Sequence, residues 1–192
     1  MASPIRFHAL VAAAGLALAF AGQASATSVT DPDYPRSLAD EGPVAVSWGD
    51  PAGFTELRYS RNRFEAVRGD WVRKLARHLA ERAGAALPPG ERLEVEITDI
   101  ELAGEYEPSM RADYVRVVRD VYPPRIDLRY SRYDAAGQVV DSGEARLTDI
   151  GFLSHSMHGG RGNDALRHEK RLIDDWVRGT LQDQGRRSAR GD

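Results

Sequence analysis

The chain contains no cysteine among its 192 residues. This absence excludes disulfide bonds, cysteine-ligated zinc and catalysis by a thiol. It also leaves no thiol that could carry a lipid behind a secretory signal. The fold must therefore be held by its hydrophobic core, and a chain of this length can build one.

Long apolar runs are also scarce, and the one that stands out, Ala9 to Ala21, lies near the N-terminus. Arg6 precedes this run and Ala24-Ser25-Ala26 follows it, an order that is typical of a cleaved secretory signal. The run is shorter than the roughly 20 residues that a membrane-spanning helix needs, so we expect cleavage rather than a stable membrane anchor. We predict a signal peptide over residues 1–26 and a mature protein in the periplasm.

Neither sign of charge is in large excess, because 26 lysines and arginines stand against 29 acids. Removal of the signal takes away one base, Arg6, and no acid, so the mature chain is slightly more acidic still. Such a balance gives no overall attraction to nucleic acid, which we do not expect as a partner.

Composition and apolar spacing divide the remaining chain into three parts. Residues 27–43 contain three prolines and scattered acids without an apolar period, which predicts a flexible leader. A single α+β domain is expected at 44–183, followed by a polar tail at 184–192. We find no internal repeat.

Within the domain, alternating apolar residues predict strands, and apolar residues spaced by three and four predict two helices. Strands are expected at 44–48, 92–102 and 114–118, with a hairpin over 126–147 that turns at 134–137. Helices are expected at about 63–83 and 163–182. The inward face of the first helix is predicted to contain Phe64, Val67, Trp71, Leu75, Leu79 and Ala83.

The strand at 92–102 changes its apolar phase by one residue, which predicts a β-bulge near Thr98 and Asp99. The element order is β-α-β-β-β-α. We therefore expect an α+β fold in which an antiparallel β-sheet of about four strands is packed by two helices on one face. The other face of the sheet can stay open to solvent.

The stretch from Gly160 to Ala165 matches a relaxed dinucleotide-binding pattern, G-x-G-x-x-A. That site needs a strand, a turn, a helix and a following parallel strand, whereas this stretch follows an antiparallel hairpin and precedes the last helix. Asp164 would also place a negative charge where a pyrophosphate should bind. We expect a mobile connection here, and no cofactor.

Three of the five histidines, His155, His158 and His168, lie close together in the sequence. Imidazoles are good zinc ligands, and catalytic zinc sites use three protein ligands. The first two fall in an expected loop, and no H-E-x-x-H helix is present. A metal site at these histidines is one hypothesis, and solvated histidines without a metal are the alternative.

The segment from Val115 to Tyr133 is rich in arginine and tyrosine. Guanidinium groups and tyrosines are well suited to binding anionic groups or partner proteins. Pairing of these arginines with the abundant acids of the chain is the alternative. The candidate binding residues are Arg116, Arg119, Tyr122, Arg125 and Arg129.

Catalytic motifs are absent. The serines next to histidine, Ser154 and Ser156, lack a nucleophile-elbow pattern. Glu94 and Glu96 are spaced so that both side chains point to one face of a strand, and we expect that face to be solvated. We therefore predict no catalytic residue.

Four blocks of the sequence are distinctive: VSWGDPAGFTELRYS, DVYPPRIDLRY, GEARLTDIGFL and LRHEKRLIDDWVR. In these blocks the chain resembles an uncharacterised family of exported proteins from Gram-negative bacteria, Domain of Unknown Function 3016. The resemblance covers about residues 44–182. It implies export and a single domain, and it implies no activity, so no site residue follows from it.

These observations favour a non-catalytic binding or adaptor module of the cell envelope. Its expected partner is an envelope protein or an anionic envelope polymer, bound through residues 115–133 and the loop at 152–162. The alternative is a metal-binding protein or metal-dependent enzyme that uses the loop histidines. A third hypothesis is an envelope protein that has no ligand.

Overall fold

The computed structural model of the chain describes residues 28–39, 42–108, 115–155 and 163–182. The signal peptide predicted for 1–26 and the tail predicted for 184–192 lie outside the described residues. The elements follow one another as β1 Val44–Trp48, a 3-10 turn Pro51–Gly53, α1 Thr55–Tyr59, α2 Arg63–Ala66, α3 Trp71–Gly84, β2 Arg92–Glu101, β3 Glu105–Glu107, β4 Val115–Val117, β5 Arg125–Tyr133, β6 Val139–Thr148, α4 Phe152–His155, α5 Arg167–Val177 and a π-helical turn Arg178–Gln182.

The main sheet has four strands in the order β1-β2-β5-β6, and the predicted α+β class is confirmed. The sheet is mixed, however, and the prediction of a fully antiparallel sheet is wrong at β1, which runs parallel to β2. The reason is the connection between them, because α1 to α3 carry the chain back to the starting edge of the sheet. The predicted β-bulge is confirmed, since the register shifts between Ile97 and Asp99.

One face of this sheet carries the core. Alternate residues of β1, β2 and β5 point under α3 and α5, and the described hydrophobic cluster extends through both helices. On α5, Ile173, Trp176 and Val177 are buried. Helix α5 begins at Arg167 and ends at Val177, which is shorter than predicted, and the π-helical turn continues it.

The first predicted helix, at about 63–83, is in fact two helices. It breaks between Ala66 and Trp71, where Gly69 adopts a φ of +90° that favours glycine. The break turns Phe64 out to solvent, so its predicted place in the core is wrong, whereas Trp71 donates from Nε1 to the Ala66 carbonyl at 3.0 Å.

The leader predicted at 27–43 is packed onto the domain over its described residues 28–39. Val29 and Tyr34 are buried in the core, and the Tyr34 hydroxyl donates to Asp70 Oδ1 at 2.6 Å. Ser37 forms an antiparallel bridge with Ser47 and so covers the outer edge of β1. The flexible-leader prediction fails here because Val29 and Tyr34 are isolated apolar side chains, and two such residues form no periodic pattern in the sequence.

The second sheet is small and was not predicted as a sheet. Its two strands, β3 and β4, pair antiparallel, with Tyr106 opposite Arg116. It lies where β2 ends, and it brings the start of the arginine-rich segment against the end of that strand. Within the described ranges, no helix combines the length and the apolar character that crossing a membrane requires.

Candidate binding site

Arg116, a predicted binding residue, serves an internal role. Its Nη1 donates to the three carbonyls of residues 102–104 at 3.2, 3.2 and 2.9 Å, and its Nη2 pairs with Glu56. Its guanidinium also lies over the Tyr106 ring, 4.8 Å from the centroid. These bonds hold the turn that follows β2, so Arg116 is not available as a ligand for a partner.

Two buried glutamates complete this arrangement, and sequence reasoning missed both. Glu56 accepts the Leu102 N–H at 3.0 Å, and Glu169 accepts the Ala103 N–H at 2.7 Å. Burial raises the pKa of Glu56 to about 7 against the opposing effect of Arg116, and burial also raises the pKa of Glu169. We refer to Glu56, Arg116 and Glu169 as the buried carboxylate cluster.

The signal that could have identified one of these glutamates is its position in the helical period. Glu169 lies three residues after Leu166 and four before Ile173, both of which are buried. A charged residue on the apolar stripe of a helix indicates an internal partner. For Glu56, the five-residue helix α1 is too short to show such a stripe.

Arg125 is also engaged within the fold. It donates to Asp99 Oδ2 and to Thr55 Oγ1, both at 2.8 Å, and lies 3.4 Å from Glu101. Asp99 in turn accepts the Thr55 N–H and hydroxyl, both at 2.6 Å. Arg125 therefore ties the start of α1 to the bulge of β2.

Arg119 and Tyr122 meet at one acid. Arg119 Nη2 lies 2.8 Å from Glu107 Oε2, and the Tyr122 hydroxyl donates to Glu107 Oε1 at 3.1 Å. The predicted binding residues therefore do not form one surface. Pairing with acids, the alternative stated above, describes Arg116, Arg119 and Arg125.

Arg129 alone of the predicted set lies centrally on the sheet face that the helices leave uncovered. We call this surface the open face. It is formed by Ala45, Ser47, Glu94, Glu96, Asp127, Arg129, Ser131, Ser142, Glu144 and Arg146. The predicted solvated face for Glu94 and Glu96 is this surface.

The strand register arranges the open face in rows. One row crosses all four strands through Ser47, Glu96, Arg129 and Glu144. Within it, Arg129 donates to Glu144 at 2.9 Å and to Glu96 at 3.4 Å. Arg129 is 59% exposed, so its ion pairs are accessible to solvent and are weak.

A shallow depression of about 440 Å³ lies over the β1 side of the open face. Its floor contains small side chains, Ala45, Ser47 and Ser131. Its rim carries charged and apolar groups from several elements: Leu38, Glu94, Glu96 and Arg129. The depression is large enough to receive one or two side chains of a partner.

The three candidate metal ligands are only partly described. His168 is buried on α5, with its ring edge-on to Phe152 at a centroid distance of 4.8 Å, and burial lowers its pKa. His155 ends α4, but its side chain and all of His158 lie outside the described residues, as does most of the loop at 152–162. Among the described residues no three acids or histidines are grouped so that they could hold a metal.

The sequence model of the family described as "Protein of unknown function (DUF3016)" matches residues 42–179. The chain belongs to this family. The DUF3016 match begins before β1 and ends after α5, so the open face and the buried carboxylate cluster both lie inside the family domain. No curated protein and no solved structure matches the chain.

Proposed function

We propose that this DUF3016 protein is a non-catalytic binding module of the cell envelope that engages a protein partner through the open face. The observation that carries the proposal is the depression over β1, β2 and β5. There, small side chains make a concave floor between charged rims on a surface that the helices leave uncovered.

A protein partner is favoured over an anionic polymer by the charges around this depression. Two glutamates, Glu94 and Glu96, face one arginine, Arg129, and that arginine already contacts acids. A polyanion would meet like charges on this rim. A protein segment can offer both signs, and mixed charges give an interface its orientation and specificity.

Arg129 is the group on which recognition would depend. Its two ion pairs are exposed and contribute little to folding stability, so a partner carboxylate can replace Glu96 or Glu144 at small cost. Its planar guanidinium can bind that carboxylate in a bidentate manner. The floor residues Ser47 and Ser131 offer hydroxyl groups nearby.

The raised pKa values of the buried carboxylates do not require a catalytic role. Glu56 and Glu169 have raised pKa values, as many catalytic acids do. However, each accepts a backbone N–H of the turn after β2, and Glu169 is 1% exposed. Both groups therefore act in holding the turn.

The test is crosslinking in living cells with a photoreactive amino acid placed at one position at a time. Positions 47 and 131 probe the floor of the depression, and position 74, on the exposed side of α3, is the matched control. We expect a discrete adduct with another envelope protein from 47 and 131, absent from 74, and reduced by Arg129→Ala. Equal adducts from all three positions, or none from 47 and 131, would contradict the proposal.

A further inference from the structure

The two edges of the main sheet differ in how they are covered. At the β1 edge, residues 36–38 pair with the strand, since Leu38 N–H donates to the Val46 carbonyl and Trp48 N–H donates to the Arg36 carbonyl, both at 2.9 Å. At the other edge, β6 is ten residues long, and within the described ranges no strand pairs with its outer side. An uncovered edge of this length is a template for another strand.

The sequence of β6 is complementary to itself when two copies run antiparallel about Ala145. In that register Glu144 lies opposite Arg146 of the second copy, and Arg146 lies opposite Glu144 of the second copy. Opposite charges that face each other across two strands stabilise the pairing. Both side chains are well exposed, at 77% and 69%.

The neighbouring positions fit the same register. Ser142 meets Thr148, and Gly143 meets Leu147 of the second copy. One like-charged pair, Asp141 opposite Asp149, falls just beyond the end of the strand at Thr148.

Other registers are poorer. In a symmetric pair whose two open faces lie on the same side of the sheet, the pairing must be centred on a residue. A register shifted by one residue would turn the open face of the second copy to the opposite side. Centring on Glu144 or on Arg146 places identical charges opposite each other. Centring on Gly143 places Glu144 opposite Ser142, and Arg146 opposite Val140, so no opposite charges meet.

We propose that the protein pairs with a second copy of itself through β6, antiparallel and centred on Ala145, to give one continuous sheet twice as wide. The two open faces then lie side by side on one surface. A partner would meet two copies of the depression, which strengthens binding through multivalency. This last consequence rests on the proposed function, whereas the pairing itself rests on β6 alone.

The experiment is a charge exchange read by sedimentation equilibrium over a range of protein concentrations. Glu144→Arg places arginines opposite each other, and Arg146→Glu places glutamates opposite each other. We expect each single variant to raise the dimer Kd by about tenfold or more, since both symmetric pairs become repulsive. The double variant Glu144→Arg/Arg146→Glu restores opposite charges and is expected to return Kd to near the wild-type value.

The double variant separates pairing between copies from a role within one copy. Inside the chain, Glu144 bonds to Arg129 and Arg146 bonds to Asp127. If only those bonds mattered, the double variant would be worse than either single one. Glu94→Arg on β2, which is exposed but not at this edge, is the control and is expected to leave Kd unchanged.

Two results would overturn the proposal. One is a wild-type protein that stays monomeric at all concentrations, whether or not hydrogen exchange shows that the β6 amides of the monomer are protected. The other is a dimer that the single variants do not weaken. Neither result bears on the adducts expected from positions 47 and 131, so the two proposals can fail separately.

Discussion

Glu56 on α1 and Arg116 on β4 form an ion pair inside the protein although they are 60 residues apart in the chain. Glu56 is buried, and Arg116 is 20% exposed. Together with Glu169 they bind backbone groups of residues 102–104. One turn is thereby fixed from α1, β4 and α5, and the small sheet is fastened to the main one.

Arg116→Ala is expected to destabilise the protein strongly. The change removes donors to three carbonyls and leaves Glu56 buried without its counter-charge, which typically costs about 3–5 kcal/mol. Arg119→Ala is the matched control, because Arg119 is 57% exposed and its single ion pair is worth at most about 1 kcal/mol. Urea unfolding measures both. Equal losses would show that the buried carboxylate cluster does not hold the fold.

The contribution of Glu56 to the free energy of unfolding is expected to fall as pH rises from about 5 to about 8, whereas His168, whose pKa burial lowers, acts in the opposite direction. Because burial raises the pKa of Glu56 from 4.5 to about 7, the folded protein holds this proton more firmly than the unfolded chain. The stabilising contribution of the protonated group is complete below about pH 4.5 and is lost as pH rises through about 7. Burial raises the pKa of Glu169 as well, so it acts in the same direction.

Glu56→Gln tests this assignment, since the amide keeps an acceptor for the Leu102 N–H but cannot ionise. We expect the difference in unfolding free energy between about pH 5 and about pH 8 to shrink by on the order of 1–3 kcal/mol. Glu81→Gln, on the exposed surface of α3, should keep the wild-type pH dependence. A wild-type pH dependence in Glu56→Gln would assign the effect to other groups.

Export is tested by the N-terminus of the protein recovered from cells. We expect the exported form to begin at Thr27, because Ala24-Ser25-Ala26 gives the small residues that a signal peptidase accepts. Ala26→Arg should block cleavage and retain the full-length chain. The measurement is the intact mass of the periplasmic and membrane fractions. If the wild-type protein in the membrane fraction still contained Arg6, the N-terminal segment would be a retained anchor.

Much of the fold could be predicted from local patterns. Alternation in β2 and β5 identified the strands, and the phase change at Thr98 and Asp99 identified the bulge, because side-chain period follows backbone geometry. The parallel pairing of β1 could not be predicted in this way. Alternation shows which side chains of a strand face inward, but it does not identify the neighbouring strand or its direction.

The candidate site was predicted less well, for a related reason. The sequence shows how many arginines lie in the segment from Val115 to Tyr133, but it does not show their partners, which lie far away along the chain. Arg116 pairs with Glu56, and Arg125 pairs with Asp99. Charge in a segment therefore did not predict charge at a surface. Arg129 differs from these arginines, because it alternates with the inward residues of β5 and so lies on the exposed face of the sheet.

Gly104→Ala is expected to be the most damaging single-methyl change at a described glycine turn. Gly104 has a φ of +85°, and an added Cβ would come within 2.7 Å of the Val117 carbonyl oxygen, which is backbone and cannot move aside.

Gly137→Ala is the matched control, because its φ is +81° but nothing lies within 4 Å of the added Cβ. The control should lose about 1 kcal/mol from backbone conformation alone. Gly104→Ala should lose about 2 kcal/mol more, from the clash that separates β3 from β4. Equal losses in urea unfolding would show that the small sheet can shift to admit the methyl group, and would argue against a turn held rigidly by the buried carboxylate cluster.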